Sequence, residues 1–429
     1  MTGKLDQWID ELGTIGGHGS TVNRFAWTLE LHAANEWLLK RLLELGLSAE
    51  IDAAGNVIGR WQAGAGPAVL VGSHLDTVPD GGRFDGALGV LSALEAIRRL
   101  RAEGVQPQRP LWIAAFNDEE GARFDTSMFG STAFVGDDLS HLADRVDADG
   151  LRLPDAMRQL GSDFTQVATA KGIDQVGCFL ELHIEQGARM QDQGLDTAVV
   201  TTIVGIKGYR VVLRGQTNHA GTTVMGQRRD ALIGASRVIL ALRDAALASG
   251  EVTANVGRVE VRPGGTNVVP GEVEFYIDIR TAKPETYATL DHLVRGTVVA
   301  AASLEGLTFE LIPTYEHAPI PMDERLQQIL GAEMAAHGLR WAPLSSGAGH
   351  DAQVLAQHVP TAMLFVPSQD GISHAPAEYT PPEQREPGVS VLTGVLRQLI
   401  CEPADTAERP DGRRAAADDS IVRFSENDL

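Results

Sequence analysis

The chain has 429 residues, more than one hydrophobic core normally supports, so two domains are expected. A formal net charge of −21 argues against nucleic acid or an anionic membrane as partner, because such a balance does not neutralise phosphates. Only two cysteines occur, Cys178 and Cys401, outside any Cys-x-x-Cys pair; this excludes a disulfide framework and leaves His, Asp and Glu to hold any metal.

The N-terminus has no apolar signal core and no run approaches membrane-spanning length, so a cytoplasmic protein is expected. The first hundred residues read as alternating helices and strands. Ala68-Val-Leu-Val-Gly-Ser is a continuous apolar run of the kind found in strands buried on both faces. Residues 89–101 place Val90, Leu91, Leu94, Ile97 and Leu100 on one helical face. Residues 111–116 and 179–184 read as further buried strands. This alternation predicts an α/β layer with a mostly parallel sheet.

The pattern changes near Ile206. A strand from Tyr209 is followed by a helix over 228–248 and strands over 256–261 and 272–280. In the last of these Val273, Phe275, Ile277 and Ile279 face one way and Glu274, Tyr276, Asp278 and Arg280 the other. A helix from Pro284 to about Leu304 and a strand over 307–313 complete a βαββαβ, ferredoxin-like order, which predicts a separate domain over 206–319. The first domain then comprises 1–205 and 320–402, with a helix over 325–337 and a strand over 361–366. The tail over 403–429 has no periodicity and is expected to be disordered.

Four segments present metal-ligating side chains just after predicted strands, where sites form in open α/β sheets. Gly72-Ser-His-Leu-Asp-Thr-Val carries His74 and Asp76, and Gly82-Arg-Phe-Asp-Gly carries Asp85. Phe116-Asn-Asp-Glu-Glu-Gly carries Glu119 and Glu120, and Leu182-His-Ile-Glu-Gln-Gly carries His183, Glu185 and Gln186. Gly371-Ile-Ser-His-Ala-Pro adds His374 far downstream. Each has an ordinary reading: a single strand-end histidine is usually structural, and adjacent glutamates usually form a solvated turn. His18, His32, His141, His292, His337 and His358 carry only that reading. The recurrence of histidines and carboxylates at four strand ends is what two divalent ions sharing a carboxylate need. One of two adjacent glutamates can also remain free of metal and act as a base.

These segments, with Asn-His-Ala-Gly-Thr-Thr, Asn-Val-Val-Pro-Gly and Ser-Gly-Ala-Gly-His-Asp, resemble the metal-dependent amidohydrolases related to aminoacylase and carboxypeptidase G. The resemblance runs from about residue 20 to 400. It is greatest to the branch holding N-carbamoyl-L-amino acid hydrolase, β-ureidopropionase and allantoate amidohydrolase. It implies two divalent ions, Zn²⁺ or Mn²⁺ with Co²⁺ or Ni²⁺ as alternatives. Asp85 would bridge them, His74 and His183 would bind one, and Glu120 and His374 the other. Asp76 would orient His74, and Glu119 would be the general base. The domain over 206–319 would be a lid and dimerisation domain of a homodimer. Its His219 would reach the neighbouring subunit's site and stabilise the oxyanion; otherwise His219 reads as a loop histidine. Arg280 would pair with the substrate α-carboxylate, although a strand-end arginine is usually only exposed. Asn267 would be a second carboxylate contact, against ordinary turn chemistry. Gln186 would bind the ureido end, and the backbone at Gly349 would approach the substrate, with His350 and Asp351 stabilising that loop.

The expected activity is hydrolysis of N-carbamoyl-L-amino acids, a class of small ureido acids, to amino acid, CO₂ and ammonia. Allantoate amidohydrolase and β-ureidopropionase are the alternatives with the same mechanism. A peptidase or N-acyl aminoacylase fits Gln186, Asn267 and Arg280 less well. A non-catalytic relative would be expected to lack Asp85, Glu119 or a ligand, and all are present.

Overall fold

The computed structural model describes residues 3–402, so the expectation for the tail lies outside the described residues. The chain divides into two compact units: residues up to Thr201 with those from Pro321 onward, and Thr202–Ile320.

The first unit is built on a nine-stranded mixed sheet. At its centre Thr361–Val366, Val176–Ile184, Ala68–His74 and Leu111–Phe116 lie side by side and parallel. Toward the edges Thr197–Ile203, Val57–Trp61 and Ser48–Ile51 pair antiparallel, so the parallel character is confined to the middle. Ala68–His74, Leu111–Phe116 and Thr361–Val366 are buried at every residue, as their continuous apolar runs require. Alternate residues (Val69, Val71, Leu111, Ile113, Leu180 and Leu182 among them) join one core with helices Ala87–Ala102, Glu324–Ala336 and Pro382–Cys401.

The second unit has the strand order Val252–Arg262, Glu272–Thr281, Gly205–Arg214, Thr308–His317, antiparallel throughout. Helices Ala231–Ser249 and Leu290–Glu305 contribute Ala235, Val238, Val294 and Val298 to a core with Val273, Phe275, Ile277 and Ile279. The helix expected from 228 starts at Ala231, because the Asp230 carboxylate accepts the N–H groups of Leu232 and Ile233 and caps it. The helix expected over 284–304 is divided into Pro284–Tyr287 and Leu290–Glu305.

Candidate metal centre

The parallel register brings the chemistry to one edge. His74 lies opposite Phe116, and His183 opposite Phe365, so the ligand-bearing segments leave the sheet together at its carboxyl end. His74 is the last residue of its strand and His183 the last but one of its own. Asp85 stands just before helix Ala87–Ala102. Between them Gly86 has φ +60°, and a Cβ there would lie 2.3 Å from His74 Nε2, so the close approach requires glycine.

The side chains form interlocking groups. His183 Nε2 is 3.1 Å and His74 Nε2 3.8 Å from Asp85 Oδ1. His374 Nε2 is 3.1 Å from the other oxygen, Asp85 Oδ2, and 3.5 Å from Glu120 Oε1. Asp85 thus belongs to two sets of potential ligands, His74–Asp85–His183 and Asp85–Glu120–His374. Glu119 Oε2 stands 3.8 Å from His74 Nε2. His74 Nδ1 faces the Asp76 backbone oxygen at 3.1 Å, and His183 Nδ1 faces that of Ile184 at 2.9 Å. An Nδ1–H donated to each carbonyl leaves the Nε2 lone pairs directed at Asp85. The Asp76 carboxylate is 3.6 Å from His74 Nδ1 and accepts the N–H groups of Glu119 (3.2 Å) and Glu120 (3.0 Å). It therefore also holds the turn that carries both glutamates.

Electrostatics test whether divalent ions suit this donor set. Burial, then Asp85, pushes the Glu120 carboxyl up to about 7. Burial, reinforced by Glu120, Asp351 and Asp76, holds Glu119 well above the usual range against the pull of His74. Burial would raise Asp85 too, but hydrogen bonds with His183 and His374 carry it well below its ordinary value. The Asp85 hydrogen bond is the main reason His374 rises to about 9. Packed carboxylates with three imidazoles are a borderline donor set, and their mutual repulsion is what bound cations relieve. The residues fit a divalent-metal site.

Gln186 joins this centre, its Nε2 donating to Asp85 Oδ2 at 2.8 Å, while its buried Oε1 has no protein partner. Gly349 packs against Met128 and Gln353 and precedes His350, whose ring lies 4.4 Å from that of His183. His350 Nε2 is 2.8 Å from Ser346 Oγ, and Glu181 accepts the Ser73 hydroxyl and the Ala352 N–H, which brace this loop. His219, Asn267 and Arg280 belong to the second unit. There His219 pairs with Val268, and Ala220 N–H donates to the Asn267 carbonyl at 2.9 Å. His219 Nδ1 accepts from Gly221 and Thr222, so the proton sits on Nε2. Arg280 directs its fork at Asp278, at 2.7 and 2.9 Å.

Three residues not singled out from the sequence also bear on the centre. Glu378 and Ser373 contact Asp85, and Arg24 braces the segment between His74 and Asp76. None stands in a pattern of its own. Only the position of Ser373 beside His374 was a signal.

Residues 70–398 match the model of peptidase family M20/M25/M40. N-carbamoyl-L-amino acid amidohydrolase of Geobacillus stearothermophilus is 39% identical over 407 residues, covering 92% of this chain and 98% of that protein. Allantoate amidohydrolase of Bacillus subtilis is 35% identical, covering 92% and 96%. A crystal structure of a hydantoinase/carbamoylase family amidase from Burkholderia multivorans superposes with a TM-score of 0.86 at 35% identity, covering 93% and 98%. The chain belongs to peptidase family M20/M25/M40, among its hydantoinase/carbamoylase amidohydrolases.

Proposed function

We propose that the protein is a two-metal amidohydrolase that converts N-carbamoyl-L-amino acids and water to amino acid, CO₂ and ammonia. The observation that carries this reading is Asp85, whose two oxygens face two different ligand sets while Glu119 stands beside them. Bound divalent ions, Zn²⁺ or Mn²⁺ with Co²⁺ or Ni²⁺ as alternatives, would make water acidic near neutral pH and polarise the scissile carbonyl. His74, His183 and Asp85 would hold one ion, and Asp85, Glu120 and His374 the other. Glu119 takes the proton from the attacking water and delivers it to the leaving nitrogen. Asp76 keeps Glu119 and Glu120 in place through their backbone N–H groups.

Gln186 offers its unpaired Oε1 to the ureido N–H groups. Arg280, whose fork pairs with Asp278 before substrate enters, and Asn267 receive the α-carboxylate, and the backbone at Gly349 lines the substrate's approach. His219, with its proton on Nε2, donates to the oxyanion in the neighbouring subunit of a homodimer. A stripe at Ile233, Leu240 and Leu247 on the exposed face of one helix supports that dimer, since side chains of this size stay 44–66% exposed without a partner. The domain division proposed is a catalytic domain over 1–205 and 320–402 and a lid over 206–319. Among the described residues no helix is long and apolar enough to cross a membrane. The two free cysteines support a reducing, cytoplasmic setting.

Allantoate amidohydrolase is the second reading, favoured by the Bacillus subtilis relative. Ammonia release by metal-loaded protein separates the two on N-carbamoyl-L-amino acids, N-carbamoyl-β-alanine and allantoate, with amino acid release followed for an N-acetyl amino acid, whose hydrolysis gives acetate and no ammonia. Preference for the carbamoyl α-amino acids is expected. Preference for allantoate moves the substrate and leaves the mechanism, whereas release from none removes the substrate class.

A further inference from the structure

The two ligand sets are supported differently. His74 sits on a fully buried strand and His183 on one buried at every residue but Gly177, and each has its Nδ1 fixed by a backbone carbonyl. His374 is on a loop with φ +56°, and its side chain is 47% exposed. The Asp85–Glu120–His374 set therefore needs support from elsewhere.

Glu378 is where that support converges. It is only 4% exposed, although it carries a carboxylate. Its Oε1 accepts the backbone N–H groups of Phe84 (2.8 Å) and Asp85 (3.0 Å), fixing where the Asp85 side chain starts. Its Oε2 lies 3.0 Å from Ser373 Oγ, and that hydroxyl lies 2.8 Å from Asp85 Oδ2. Ser373 is the residue before His374, so one side chain ties together the two loops that supply Asp85 and His374. The contact is close: a Cβ on Gly82 would lie 2.2 Å from Glu378 Oε1, so the Asp85 loop is wrapped directly on this carboxylate. Asp85 Oδ2 receives Ser373 and Gln186, while Oδ1 faces His183. The Ser373 contact thus sets which oxygen faces which ligand set.

We propose that Glu378, acting through Ser373, is a positioning residue that acts more strongly on the ion held by Asp85, Glu120 and His374 than on the ion held by His74, His183 and Asp85. This rests on the two-metal reading above. Glu378→Gln keeps an oxygen for the two N–H groups and gains an N–H for Ser373 Oγ, whose own proton then goes to Asp85. Glu378→Ala removes both contacts, and Ser373→Ala removes only the link to the Asp85 side chain.

The test is a chelator-competition titration with Zn²⁺ and Co²⁺, counting bound ions, following the Co²⁺ absorption spectrum and melting each metal-free variant. Ions lost with outer ligand supports weaken by about 10–100-fold. Ser373→Ala should weaken one ion by about tenfold or more while changing the other ion less and leaving the metal-free melt near wild type. Glu378→Ala should show the same inequality between the ions together with a lower metal-free melt, because the Phe84 and Asp85 N–H groups lose their acceptor. Glu378→Gln should bind both ions as wild type does. Ser373→Ala, too small a change to prevent folding, decides the matter if Glu378→Ala does not fold. Unchanged binding of both ions, or equal weakening of both, overturns the proposal. Failure of the wild-type protein to bind two ions would instead overturn the two-metal reading.

Discussion

Glu119 and Glu120 are adjacent in sequence, share the same Asp76 cap, and face different partners. Glu120 turns to His374 and Glu119 to His74. If Glu119 is the base, Glu119→Gln should retain both ions and the melting temperature but lose about 10²–10⁴-fold in kcat. Near-normal turnover with the metal bound would remove it from that role. Gly86→Ala is expected to act through His74: the new methyl occupies the ring's position, and φ +60° is strained for alanine. Metal content should fall below wild type in folded protein, and full occupancy would contradict the steric argument. The strand-end histidines and paired glutamates were legible because each follows a recognisable apolar run. Glu378 was not: it lies 293 residues from its partner Asp85, within Ala-Pro-Ala-Glu-Tyr-Thr, where nothing local distinguishes it from a surface acid.

At the scale of elements, buried strands and the alternating strand of the second unit were readable from hydrophobic period. The long helix Pro382–Cys401 was not among the predicted elements; Pro381 stands at its N-cap position, Pro382 opens it, and only Pro387 lies inside. The first helix, Lys4–Gly13, carries Leu5, Trp8, Ile9 and Leu12 at helical spacing, a signal present in the sequence. Arg24 ties this helix to the centre. Fully buried, it donates from Nε to the Leu75 carbonyl at 2.9 Å and from Nη1 to those of Leu12 and Ile15. Burial lowers its pKa to about 10 against the opposing charge of Asp76, so it stays a cation at neutral pH. Arg24→Met should leave these acceptors unpaired and cost about 3 kcal/mol or more in urea unfolding. A loss below about 1 kcal/mol would mean that water or rearrangement replaces it. If the exposed stripe of the second unit is a dimer contact, Leu240→Asp should halve the mass in sedimentation while the monomer stays folded. An unchanged mass would place the dimer contact elsewhere, or show that there is none.

For the whole molecule, the excess of acidic residues has a local counterpart in the carboxylates gathered around Asp85. Cation removal should therefore be felt globally. Each ion present at 100 times its Kd stabilises the fold by about 2.7 kcal/mol, and chelation should lower the melting temperature correspondingly. A melt indifferent to chelator would argue that the centre holds no ion. Apart from the tail, most of the architecture was readable, because period and motif are local. The couplings between distant loops were not, because they appear only once the chain has closed on itself.

That closure has a consequence during synthesis. The His74–Asp85–His183 set is complete in the first half of the chain, whereas Ser373, His374 and Glu378 emerge from the ribosome only after the entire second unit. A chain that stops before residue 373 lacks His374 and cannot complete the second set. The two ligand sets are thus separated in order of synthesis, the second waiting until the chain has passed through the whole second unit and returned to the first.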